Sequence, residues 1–120
     1  MHNKDDFDDD VHPFEKELRE YLYEYASYLN ESEKLKPATV RKHENLLGAM
    51  ISYVFDYHQV NGFEDLSLSI IGSKMLRSYN HHSSEAVQLS THYNTMRKFF
   101  RFVYKKHGIA NHDLLRKLSK

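Results

Sequence analysis

Apolar residues recur at helical spacing in four stretches of the chain, and short polar clusters separate them. Phe14, Leu18, Tyr21, Leu22, Tyr25, Tyr28 and Leu29 line one face of a helix expected over about 13–31. Pro13 suits its first position, where a missing N–H costs nothing, and Glu15 and Glu17 favour the positive first turn. Asn30, Ser32 and the charged residues to Lys36 read as a connection. A second helix is expected from Pro37 to about Gln59, ahead of the Asn61-Gly62 turn pair. Its stripe is Val40, Leu47, Met50, Ile51, Val54, Phe55 and His58. Residues 63–68 read as a linker with apolar anchors. A third, shorter helix is expected over about 69–80, with Ile70, Ile71, Met75, Leu76 and Tyr79 inward and Gly72 as a weak point inside it. Residues 85–89 read as loop or as a helical extension. The fourth helix is expected to start at Ser90 as N-cap, to bury Tyr93, Met96, Phe99, Phe100, Val103 and Tyr104, and to end at Gly108. Asn111 then caps a last short helix whose apolar side is Leu114, Leu115 and Leu118. No stretch alternates with period two, so no strand is expected. The fold class is all-α: a compact bundle of four main amphipathic helices plus a short C-terminal helix.

Composition narrows the function classes. With 120 residues the chain fits one domain, and 40% hydrophobic residues exclude a disordered protein. It contains no Cys, which removes disulfides, thiolate metal sites and thiol nucleophiles together. No apolar run approaches the length of a membrane span and no signal peptide opens the chain, so a cytoplasmic protein without membrane contact is expected.

The formal net charge of zero changes the picture only when it is divided. Residues 1–33 carry eleven acids against three bases, and residues 34–120 carry fourteen bases against six acids. Much of the acid lies in Asp5, Asp6, Asp8, Asp9 and Asp10 around a single Phe7, so residues 1–12 read as an acidic, disordered tail on a helical domain spanning 13–120. The bases concentrate on two helices. At 100° per residue, Asn94, Arg97, Lys98, Arg101 and Lys105 share the side of the fourth helix away from Met96, Phe99 and Val103. The start of the second helix carries Lys34, Lys36, Arg41 and Lys42. Both starts also hold small hydroxyl residues, Thr39 on one and Ser90 and Thr91 on the other. Helix starts rich in N–H groups, hydroxyls and cations are natural phosphate ligands, so double-stranded DNA is the expected partner.

Three stretches resemble the N-terminal core-binding (SAM-like) domain of tyrosine recombinases, the phage integrase family. They are FEKELREYLYEYASYL over 14–29, LKPATVRKHENLLGAMISYVF over 35–55 and LSTHYNTMRKFFRFVYKKHGIANHDLLRKL over 89–118. The resemblance implies a module of DNA integration and recombination, prokaryotic or phage-encoded, that grips a recombination half-site with its second and fourth helices. It places Lys36, Thr39, Arg41, Lys42 and His43 on DNA from one helix, and Ser90, Thr91, Asn94, Arg97, Lys98 and Arg101 from the other, beside Lys105 on the same basic face. Ser and Thr would hold phosphates, while Arg97, Arg101 and Asn94 are the candidates for base edges. The family usually has Asn-Pro where this chain has Asn111-His112. Its chemistry lies in a following catalytic domain that residues 1–120 do not contain, so no DNA cleavage is expected of this chain.

Competing readings rest on less. Nine tyrosines offer a nucleophile in principle, but Tyr21, Tyr25, Tyr28, Tyr79 and Tyr93 all fall in helical patterns that make them core or core rim. Nine histidines lack any i, i+4 pair, so no metal site is expected, and no cofactor or small-molecule substrate either. The alternative function is a stand-alone protein-interaction or regulatory module of the same fold. It would pair with recombinase protomers or with itself, and its acidic tail would lie against the basic face.

Overall fold

Proline opens both of the first two helices in the computed structural model, which describes residues 11–119. Pro13 begins α1 (Pro13–Glu31) and Pro37 begins α2 (Pro37–Tyr57). A single 3₁₀ turn, Phe63–Asp65, leads into α3 (Leu68–Ile71) and α4 (Ser73–His82). α5 (Leu89–His107) and α6 (His112–Leu118) complete an all-helical bundle with no strand among the described residues. The tail expected over 1–12 lies outside the described residues except for Val11 and His12. His12 accepts a hydrogen bond on Nδ1 from the Phe14 N–H and so caps α1.

α1 and α2 pack along each other, and α5 closes the core against both. Leu18, Leu47, Met50, Ile51, Val54, Met96, Phe99 and Val103 are fully enclosed. Aromatic edges tie the elements together: Phe14 meets Phe63 at 5.2 Å, Tyr25 meets Phe99 at 5.6 Å and Phe63 meets Phe100 at 6.1 Å. Most of the expected stripes are buried. Leu46 joins Leu47 inside, while Tyr28 and Tyr104 stand exposed at the rim.

Gly72 divides the expected third helix. Its N–H reaches the Leu68 carbonyl at 2.8 Å and ends α3, and its own carbonyl takes the Leu76 N–H at 3.1 Å to start α4. A Cβ at this position would stand 2.3 Å from the Leu68 carbonyl oxygen, so only glycine permits the close approach. The elbow is stapled to α5 by His92, which is fully buried and whose Nε2 lies 2.7 Å from the Ile71 carbonyl. With Nε2–H donating, Nδ1 is left without a hydrogen-bond partner inside the core. Burial holds this imidazole below its ordinary value, opposed in part by the Ile71 bond.

Three boundaries move from their expected places, the first being the end of α4, which runs on to His82 instead of about residue 80. α2 stops at Tyr57, because His58 already has an extended backbone. α5 starts at Leu89, with Gln88 and not Ser90 at the N-cap and no side chain capping it. The preceding loop is fastened by Asn80 instead: its Nδ2 donates to the Val87 carbonyl at 2.9 Å and its Oδ1 accepts the Val87 N–H at 2.8 Å. Residues 85–88 are therefore loop. The other end of α5 is as expected, with Gly108 in the left-handed region at φ 71°. Asn111 caps α6 through the Leu114 N–H at 3.0 Å. The same side chain donates to the Phe63 and Leu66 carbonyls at 2.9 and 2.8 Å, so one residue fixes both α6 and the 3₁₀ turn.

Candidate nucleic-acid interface

α5 has two sides of opposite character. His92, Thr95, Met96, Phe99, Phe100 and Val103 are buried. Across the helix, Ser90, Thr91, Lys98, Arg101 and Lys105 are exposed, and Asn94 and Arg97 are half-buried between them. These outward residues fall within about 120° of arc at 100° per residue. Ser90 is the second residue of α5 and Thr91 the third; neither hydroxyl is engaged in capping. Arg97 donates to the Asn94 side-chain oxygen one turn before it, which holds both groups at the surface.

α2 brings the second half of the cationic face. Lys36 precedes its first turn, Thr39 is its third residue, and Arg41 and Lys42 are exposed in the next turn. The two helices meet at His43 and Lys98. His43 is half-buried, and burial first and the Lys98 charge second hold its imidazole below the ordinary value. Lys42 lies 3.7 Å from Glu85 in the α4–α5 loop, an exposed pair of small energetic weight. Among the described residues, Lys36, Arg41, Arg97, Lys98, Arg101 and Lys105 form no ion pair. The outer side of α5 thus adjoins the start of α2 at His43, with Lys36 and Thr39 on the same side of α2, whereas Arg41 lies about 160° around α2 from His43 and is not brought to this surface.

A groove that the sequence pattern did not disclose borders this surface. It encloses about 560 Å³ between the end of α1, His43 of α2 and the second half of α5. Leu29, Leu35 and Phe102 supply an apolar floor, with Tyr25 and Tyr28 as a wall. Phe102 lies 5.2 Å from Tyr25 and 5.1 Å from Tyr28, ring centre to ring centre. Burial pushes the Tyr25 hydroxyl up to about 12. Lys98, Arg101, Lys105 and Lys106 form the rim. Among the described residues Glu33 is the one acid lining it, and it accepts the Tyr28 hydroxyl at 2.8 Å. Lys106 is already engaged by Glu24 at 3.4 Å, which also takes His107 at 2.6 Å. The His107 bond is the main cause that holds the Glu24 carboxyl below its usual range. Helical spacing marks each wall separately, but only the packing of three elements makes the groove.

No group of three or more His, Cys, Asp or Glu that fits a metal ion exists among the described residues. No helix of the described residues is long and apolar enough to cross a membrane. Of the tyrosines named above, Tyr21 and Tyr25 are buried, Tyr79 and Tyr93 half-buried and Tyr28 exposed at the rim; Tyr25 and Tyr28 share the wall of the groove. Compared with protein-family models, curated proteins and solved structures, the chain finds no match in any of the three.

Proposed function

We propose that this chain is a double-stranded DNA-binding module of the kind found as the core-binding domain of tyrosine recombinases. It grips a recombination site without cleaving it. The observation that carries the reading is the cationic surface formed by the start of α2 and the outer side of α5, where Lys36, Arg97, Lys98, Arg101 and Lys105 have no acidic partner among the described residues. Phosphate neutralisation by such cations supplies most of the affinity in sequence-independent DNA contact. Ser90, Thr91 and Thr39 add hydroxyl donors at helix starts, where backbone N–H groups also point outward. Asn94, Arg97 and Arg101 present the side-chain types that read adenine and guanine edges in a major groove.

A gel shift at low salt tests the reading. Duplex fragments carrying a candidate attachment site are expected to be retarded, and Arg101→Glu together with Lys98→Glu is expected to abolish the shift. Failure of every duplex to shift would rule the reading out. The second reading, a protein-interaction module, is favoured by the groove beside the basic face, whose apolar floor DNA phosphates leave unused.

A further inference from the structure

The groove between α1 and α5 combines a hydrophobic floor with a rim of uncompensated positive charge. Leu29, Leu35 and Phe102 form the floor, and Lys98, Arg101 and Lys105 remain without an acidic partner among the described residues. A ligand that fits both features carries one apolar side chain flanked by several negative charges. The chain contains one segment of that composition. Residues 5–10 read Asp-Asp-Phe-Asp-Asp-Asp, a single aromatic with five carboxylates around it.

The chain's own segment is badly placed to reach the groove. Val11 lies beside Lys16, Arg19 and Tyr23 of α1. At 100° per residue, that side of the helix is opposite the one carrying Tyr25, Tyr28 and Leu29. Phe7 precedes Val11 by four residues, a span of at most about 14 Å when fully extended. Arg19, at the middle of that side, is about 15 Å from Leu29 along the helix axis, before the detour around a helix about 10 Å across. A neighbouring molecule has no such restriction.

We propose that the groove receives residues 5–10 of a second copy of this chain. Phe7 rests on Leu29, Leu35 and Phe102, and the aspartates meet Lys98, Arg101 and Lys105. The contact joins two different patches, a tail and a groove, so it is heterologous: it closes when two chains exchange tails and extends when they do not. It goes beyond the DNA reading and requires no DNA. Because it occupies Lys98, Arg101 and Lys105, it also competes with a duplex for them.

Sedimentation velocity of the full chain, at low salt and without nucleic acid, tests the docking. The wild-type chain is expected to sediment faster as its concentration rises, and to lose that dependence near 1 M salt, where the Debye length is about 3 Å. Two full-length variants disable one partner each. One carries Asp→Asn at Asp5, Asp6, Asp8, Asp9 and Asp10; the other carries Arg101→Glu with Lys105→Glu. Each alone is expected to stay monomeric, with a helical circular-dichroism spectrum like that of wild type. Mixed in equal amounts they are expected to associate, since one retains the groove and the other the tail. A monomeric wild type, a mixture that stays monomeric, or association that survives in either variant alone would overturn the proposal. None of these outcomes bears on the gel shift, so the two readings fail separately.

Discussion

The two sides of α5 are built from the same nineteen residues and serve opposite ends. Its inner side is saturated: Met96, Phe99 and Val103 have no exposure, and the polar His92 and Thr95 are enclosed with them. Its outer side is unsaturated, with Lys98, Arg101 and Lys105 exposed and without acidic partners among the described residues. The inner side stabilises the bundle and the outer side leaves its charge available to a ligand. Substitutions should separate the two: inner ones change stability, outer ones change binding.

The largest effect is expected inside. Phe99→Ala removes a ring that touches Tyr25 and Phe100, and should cost about 3–5 kcal/mol in urea denaturation. Gly72→Ala comes next. Its Cβ would meet the Leu68 carbonyl, so the elbow must open, at about 1–3 kcal/mol in the same measurement. Arg101→Glu is the outer counterpart. Its denaturation midpoint should stay within about 0.5 kcal/mol of wild type, while duplex affinity falls at least about tenfold.

The smallest effect is in the pH dependence. His92 is held neutral in the fold, its pKa below the ordinary 6.5. As pH falls below 6.5, the unfolded chain binds a proton that the folded chain resists, so stability declines with falling pH until the folded imidazole itself titrates. The slope from one such group is at most about 1.4 kcal/mol per pH unit. His92→Gln should flatten the decline between pH 7 and 5, measured by denaturation at each pH. His43, shifted in the same direction, keeps the slope from vanishing.

Much of the bundle was legible in the sequence because its signals are local. Pro13 and Pro37 mark helix starts, Gly108 marks a left-handed end, and Asn111 marks a cap, each through its own backbone chemistry. The break at Gly72 was not legible as a break, since glycine inside a helical pattern is equally compatible with a continuous helix; the Leu68 carbonyl decides it. The Ser90 cap failed for a related reason. Asn80, ten residues upstream, fastens the loop and leaves the N-cap to Gln88. His92 falls on the inner side by helical spacing alone, but its polarity concealed it among surface histidines. The cationic face was legible because it needs only spacing and charge. The groove was not, because Leu29, Leu35, His43 and Phe102 are distant in the chain and meet only in the packed bundle.

The salt dependence of duplex affinity, followed by fluorescence anisotropy, tests the central claim most directly. If the five cations Lys36, Arg97, Lys98, Arg101 and Lys105 each neutralise a phosphate, log affinity should fall against log salt with a slope of about −4.5. Arg101→Glu should make that slope shallower by about 1. Affinity that does not change with salt, or a slope that Arg101→Glu leaves untouched, would contradict a DNA-gripping face on α2 and α5.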